Sequence, residues 1–299
     1  MSSPVIETSG LTKYYGKVRG IENISLSIDE GEIFGFIGPN GAGKSTTIRL
    51  LLNLIFPTRG NARILGMDVV GDTKKIKEHV GYVPSEASAY GSMSVNEFLE
   101  YSARFYNAPG AEKRKTLLSE LFGLDLKRRV SDLSTGNRRK VAIVQSLLHS
   151  PKLLILDEPT TGLDPLIQAR FFDLLREENR KGTTIFYSSH VLSEIQNLCG
   201  RVAIIRDGMI IKLEEIETLR KKQLKRVTAD FSEKPGEMFI SLPGIKDLSI
   251  GADNSAFFMY SGDINDLVKT LTGMKMLNLT IEEPPLEEIF MHYYNQHND

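Results

Sequence analysis

The 299-residue chain has one cysteine, Cys199, so no disulfide can form within it and a small disulfide-stapled secreted scaffold is excluded. It has no apolar run near the ~20 residues that carry a helix across a bilayer. The longest, such as residues 50–55, are short, and this one is interrupted at Asn53. Net charge is only −1, and neither a repeat of fixed period nor a low-complexity tract is present. The opening Met1-Ser2-Ser3-Pro4 leads directly into mixed sequence, without the charged and apolar regions of a cleavable signal. What remains is an ordinary globular composition, 41% hydrophobic and 25% charged, sufficient for about two domains. Such a chain is expected in a reducing cytoplasm, reaching any membrane through a partner.

The charge is unevenly spread. Residues 228–299 hold 4 Lys and Arg against 12 Asp and Glu, a net of −8, which leaves +7 (33 against 26) for residues 1–227. The basic clusters Lys127-Arg128-Arg129 and Arg138-Arg139-Lys140 are not interleaved with aromatics, so they read as solvated helix faces and no nucleic-acid partner is expected.

From Val5 to about Val227 short β-rich runs alternate with helical patterns. Strands are expected over 18–28, 32–37, 61–65, 79–83, 153–156, 183–188 and 201–206, the last three as buried parallel strands; helices are expected over 45–55, 136–149, 165–180 and 191–198. Residues 92–129 break this α/β alternation. Ser94-Val95-Asn96-Glu97 has the spacing of a capping box, and Val95, Phe98, Leu99 and Phe105 follow at helical spacing, which indicates an inserted helical subdomain. After the charged run 220–226, strand-like segments at 227–231, 248–250, 256–260 and 276–281 alternate with helical segments at 264–271 and 286–294. They read as a small α+β domain with no catalytic pattern.

Gly38-Pro39-Asn40-Gly41-Ala42-Gly43-Lys44-Ser45 fits G-x-x-x-x-G-K-S and stands between an apolar strand and the start of a helix. Glycines let backbone N–H groups wrap a phosphate, Lys44 adds a point charge for the β and γ oxygens, Ser45 can ligate Mg²⁺, and Thr46 adds to the helix start. About 110 residues later the apolar run 153–156 ends in Asp157-Glu158-Pro159. A strand beside the phosphate loop would bring Asp157 to the Mg²⁺ shell and Glu158 to an attacking water.

Between these motifs stands Leu133-Ser134-Thr135-Gly136-Asn137, immediately before a helical pattern. With it the chain resembles the nucleotide-binding subunit of an ATP-binding-cassette (ABC) transporter, whose signature usually reads LSGGQ; Thr135 and Asn137 depart from it. The resemblance implies a P-loop fold of the ABC ATPase type with an inserted helical subdomain at about 86–150, an ATPase domain over 1–225 and an accessory domain over 226–299. It implies that Ser134 and Gly136 touch the γ-phosphate of ATP held by the opposite subunit. It also implies that Tyr15, with Tyr14 as a rival, stacks on adenine, that Asp164 of Thr161-Gly162-Leu163-Asp164 lies in a loop crossing the dimer interface, and that His190 senses the γ-phosphate. Where many members carry Gln or Glu after Gly81-Tyr82-Val83-Pro84, this chain has Ser85 followed by Glu86, and either is left to reach the metal. The segment 279–290, LTIEEPPLEEIF, resembles the C-terminal extension of bacterial drug and antibiotic exporters.

The expected protein is therefore an ATP- and Mg²⁺-dependent exporter subunit. It would pair with a second copy or a related ATPase and drive an integral membrane permease from the cytoplasmic face. The alternatives are an importer subunit, or a soluble ABC ATPase acting on nucleic acid or ribosomes. Soluble members usually join two cassettes or insert long coiled coils, and this chain has neither.

Overall fold

The computed structural model of the chain describes residues 4–86, 92–106, 108–221, 225–233 and 242–282. The chain divides into two compact units, Met1–Glu214 and Glu215–Asp299. In chain order the first unit contains β1 (Ile6–Tyr15), β2 (Val18–Ile28), β3 (Ile33–Ile37), α1 (Lys44–Leu51), β4 (Arg59–Ile64), β5 (Met67–Asp68), α2 (Thr73–Lys77), β6 (Val80–Val83) and α3 (Val95–Tyr106). It continues through α4 (Ala111–Phe122), α5 (Thr135–Leu147), β7 (Leu153–Asp157), α6 (Pro165–Arg180), β8 (Thr184–Ser189), α7 (Leu192–Leu198), β9 (Arg201–Arg206) and β10 (Met209–Glu215).

The central sheet has the order β10-β9-β3-β8-β7-β6. Its β6, β7, β8, β3 and β9 run parallel, so the carboxyl ends of β3, β8, β7 and β6 lie side by side on one edge, where ligands bind in open α/β sheets. Every residue of β7 and β8 is buried, as their unbroken apolar runs require of strands covered on both faces. The strand carrying Asp157 is separated by β8 from the strand that enters the glycine loop, yet its carboxyl end reaches the loop itself, where Glu158 pairs with Lys44 at 3.2 Å. Adjacency of elements along the chain does not fix strand order across a sheet. A second, antiparallel sheet of order β2-β1-β4-β5 packs Ile6, Leu11, Ile24, Ile28 and Ile64 into the same core as Phe34, Phe36, Ile48 and Phe186.

The expected helix over 45–55 stops at Leu51, and Asn53 then turns the chain at φ 49°. The capping box at the start of α3 is formed: Ser94 N–H donates to Glu97 Oε2 at 2.8 Å, and Glu97 N–H donates to Ser94 Oγ at 3.2 Å. Val95, Phe98 and Leu99 face the interior, whereas Phe105 is exposed and meets Tyr101 edge-on at 4.9 Å. No helix among the described residues is long and apolar enough to cross a membrane.

The second unit contains α8 (Ile216–Lys221), β11 (Lys225–Phe231), β12 (Ile245–Ile250), β13 (Ser255–Tyr260), α9 (Ile264–Thr272) and β14 (Met276–Glu282), with an antiparallel sheet of order β12-β13-β11-β14. Alternate residues Val227, Ala229 and Phe231 of β11 join Ala256, Phe258 and Tyr260 of β13 and Leu267 and Leu271 of α9 in a core of their own. The basic run 220–226, which reads as a linker, straddles the end of α8 and the start of β11, and the units divide earlier, after Glu214. The expected helix over 286–294 lies outside the described residues.

Candidate functional site

β3 delivers the chain into the glycine loop, and Gly43 closes it. Gly43 has φ 109°, and a Cβ there would fall 2.7 Å from Ile21 Cγ2 and 3.0 Å from the Gly20 carbonyl oxygen, so only glycine fits. From this N-cap α1 begins, its first N–H groups free of helical partners. Lys44, 4% exposed, turns back along the loop. Its ammonium donates to the carbonyls of Gly38 at 2.7 Å and Pro39 at 3.1 Å and pairs with Glu158 Oε1 at 3.2 Å. A cavity of about 270 Å³ opens here, lined by Tyr15, Arg19, Gly20, Asn40, Gly41, Gly43, Lys44, Ser45, Thr46 and Glu158.

Glu158 follows β7 in a left-handed conformation, φ 49°, with its N–H donating to the Ser188 carbonyl at 3.0 Å. Its second carboxylate oxygen lies 3.2 Å from His190 Nδ1, so one carboxylate links the loop lysine to the imidazole at the end of β8. Asp157 is buried beneath them. Burial is the largest influence on its carboxyl and lifts it above the usual carboxylate range, with the Glu158 charge adding to the effect. Hydrogen bonds from Ser45 and Ser188 and the Lys44 charge pull the other way.

Tyr15 and Tyr14 separate clearly. Tyr15 is 46% exposed on the cavity wall, with Lys13 Nζ 5.4 Å from its ring centre, whereas Tyr14 donates its hydroxyl to Glu22 Oε1 at 2.9 Å. Arg19, across the hairpin from Tyr14, also lines the cavity, and no sequence motif marks it.

Beyond β6, Ser85 is half-buried and Glu86 is exposed. What fixes this segment is Arg139 of α5, whose guanidinium donates to the backbone carbonyls of both Pro84 and Ser85. Arg139 is 3% exposed, so the cluster 138–140 is not the solvated face its composition suggests. Burial lowers the Arg139 pKa, opposed by the Asp157 and Glu158 charges. Because Ser85 is gripped through its carbonyl, which alanine retains, Ser85→Ala should lower ATP turnover by less than about tenfold, or 1.4 kcal/mol, in a phosphate-release assay; a loss above a hundredfold would give its hydroxyl a direct role.

Ser134 caps α5, accepting a hydrogen bond from Asn137 N–H at 3.3 Å. Ser134 and Thr135 are exposed, Gly136 and Asn137 half-buried, and none of the four lines the cavity described above. A Cβ on Gly136 would lie 2.5 Å from the Gly162 carbonyl oxygen, so the start of α5 rests directly on the loop that leads to α6. Asp164 ends that loop as the N-cap of α6, accepting from Ile167 N–H at 3.0 Å, with Pro165 at the first helical position. Gly136→Ala must displace one backbone from the other. We expect turnover to fall at least about tenfold while ATP binding, followed with a fluorescent analogue, stays within about threefold.

A glycine loop closing on a helix start, with its lysine paired to a carboxylate at the end of a parallel strand two places away, is the framework of a P-loop nucleotide-hydrolysing protein. The inserted helices and the second capped helix start make it a cassette ATPase. Comparison with known proteins agrees. A family model described as ABC transporter matches residues 21–161. The bacitracin transport ATP-binding protein BcrA of Bacillus licheniformis is 33% identical over 302 residues, covering 97% of each chain. The linearmycin resistance ATP-binding protein LnrL of Bacillus subtilis is 30% identical, over 96% of this chain and 97% of its own. A solved ATP-binding subunit of an ABC transporter aligns at a TM-score of 0.69 and 30% identity, over 73% of this chain and 92% of that one. The chain belongs to the ABC transporter family, as an ATP-binding and ATP-hydrolysing subunit. A dimeric bacterial ABC transporter cassette, MJ0796, aligns at a TM-score of 0.66 and 25% identity, over 71% of this chain and 98% of that one.

Proposed function

We propose that the chain powers an exporter, working as a pair of cassettes, two copies or one copy with a related subunit, beneath a separate integral membrane permease at the cytoplasmic face. The observation that carries the pairing is the exposure of Ser134 at the capped start of α5, outside the cavity of its own chain. A helix start of this kind is suited to an anion, and the phosphate it would meet belongs to the other subunit. Each ATP would then lie between one subunit's loop, Gly38 to Thr46, and the other's Ser134, Thr135, Gly136 and Asn137, with the Asp164 loop crossing between them.

Within one site, Tyr15 stacks on the adenine and Lys44 exchanges the Gly38 and Pro39 carbonyls for the β and γ oxygens. Glu158 orients the water and accepts its proton, and His190 holds Glu158 in place and meets the γ-phosphate. The Ser45 hydroxyl and the Asp157 carboxylate, joined by a hydrogen bond, are hard oxygen donors that fit Mg²⁺, which commonly takes one or two protein oxygens and completes its shell with phosphates and water. The bound ion would neutralise charge on the β and γ oxygens. The segment at Ser85 and Glu86 contributes through its backbone position more than through a side chain on the metal.

The full-length likeness to bacterial subunits named for bacitracin transport and linearmycin resistance supports efflux over uptake. Residues 226–299 serve as an accessory domain for assembly or regulation. The reading is tested by isolating the tagged full-length chain from the membrane fraction of its own cells. Recovery of a multi-span membrane protein in stoichiometric amount is expected, and recovery only of ribosomes or nucleic acid would overturn it.

A further inference from the structure

A buried carboxylate contacts the chain next to both Glu158 and His190. Glu194, the third residue of α7, is 7% exposed and forms no ion pair among the described residues. Instead it collects three hydroxyl groups. Thr160 Oγ1 donates to its Oε1 at 2.6 Å, and Ser189 Oγ at 2.6 Å and the Tyr187 hydroxyl at 3.0 Å donate to its Oε2. All three donors are themselves buried. A carboxylate can only accept, so each hydroxyl proton must point at Glu194; Ser189 Oγ then has a lone pair for Val191 N–H, which donates to it at 2.9 Å. Hydrogen bonds to an ionised acceptor are the short, strong kind, and two of these have that length.

The partners matter more than their number. Thr160 lies two residues after Glu158, and Ser189 is the residue before His190. One carboxylate therefore ties the segment that leaves β7 to the carboxyl-terminal end of its paired strand β8. A residue that served only its own helix would accept from that helix's first N–H groups; the three hydroxyls all come from outside α7. Glu158, two residues before Thr160, and His190, the residue after Ser189, meet at 3.2 Å.

We propose that Glu194 is a positioning residue for ATP hydrolysis, clamping the segment after β7 to the end of β8 so that Glu158 and His190 face each other across the γ-phosphate position. The proposal rests on the hydrolytic roles given above to Glu158 and His190. It requires the clamp to act on turnover more than on nucleotide affinity: its one link to the phosphate loop among the described residues is the Ser189 carbonyl, which accepts from Gly38 N–H at 3.4 Å and which a side-chain substitution retains.

The test measures kcat for ATP and the equilibrium affinity for a fluorescent ATP analogue in the full-length chain, well below the melting temperature of each variant. Glu194→Ala should lose at least thirtyfold in kcat with affinity within threefold of the parent. Glu194→Gln keeps an oxygen for Thr160 but presents an amide donor to Ser189 and Tyr187, and should recover part of the loss. Thr160→Val and Ser189→Ala each remove one arm and should each lose three- to tenfold in kcat alone. These two decide the matter if Glu194→Ala does not fold. A folded Glu194→Ala within threefold of parental kcat, equal losses in kcat and affinity, or both single-arm variants within twofold of the parent would overturn the clamp. Glu158→Gln is run alongside: if it still turns over ATP, the reading of the site itself fails, whereas an inactive Glu158→Gln beside an unaffected Glu194→Ala sinks the clamp alone.

Discussion

Glu158→Gln is expected to bind ATP at least as tightly as the parent chain and to hydrolyse it at no more than a few per cent of the parental rate. The amide keeps the shape of the side chain and a single acceptor, but it cannot take a proton from water. Removing a general base typically lowers rate by about 10²–10⁴-fold, roughly 2.7–5.4 kcal/mol of barrier. Binding should not suffer, because Glu158 reaches the glycine loop only through Lys44, and that contact competes with phosphate for the ammonium. Neutralising the carboxylate frees Lys44 for the nucleotide. Single-turnover hydrolysis together with equilibrium binding reads both effects, and turnover above a few per cent would remove Glu158 from the chemistry.

Ser134→Arg should also abolish turnover while sparing nucleotide binding, for a different reason. Ser134 stands outside its own cavity, so a bulky cation there leaves that cavity unaltered but would occupy the γ-phosphate position of a partner. Losing the cap itself destabilises α5 by only about 0.5–2 kcal/mol, so the chain should still fold. The defect should pass between subunits. Mixed with Lys44→Ala, itself inactive, each mixed dimer pairs an intact loop with an intact Ser134 once. At equal mixing, half the dimers are mixed and one site of two is competent in each, so about one quarter of parental activity should return. Parental rates for Ser134→Arg alone, independent of dilution, would mean that each site is complete within one chain.

How much of this could be read in the sequence follows from how far apart the interacting residues are. The glycine loop, Asp157-Glu158 and the cap at Ser134 are contiguous strings whose geometry is local, and the α/β alternation is carried by buried apolar runs such as Leu153–Asp157. Strand β1 leaves a weaker trace, because polar residues and irregular register around Gly10, at φ 57°, break its alternation. Long-range contacts leave none. The insertion of β8 between β3 and β7, the burial of Arg139 against carbonyls more than 50 residues away, and the approach of Gly136 to Gly162 are decided by packing. Phe105 is a miss of another kind: its spacing matches the apolar stripe of α3, yet it is exposed.

The left-handed backbone of Glu158 has an implication for how this position is maintained. A residue with a Cβ in that region is about 1–2 kcal/mol less favourable than in the right-handed one, and glycine escapes the penalty. Judged by backbone conformation alone, glycine is the better residue at 158, but glycine would strip the buried Lys44 ammonium of its carboxylate partner. With native stabilities of only about 5–15 kcal/mol, backbone strain of that size is appreciable. Glutamate at this position therefore puts strained backbone at the centre of the site, held there by its contacts with Lys44 and His190.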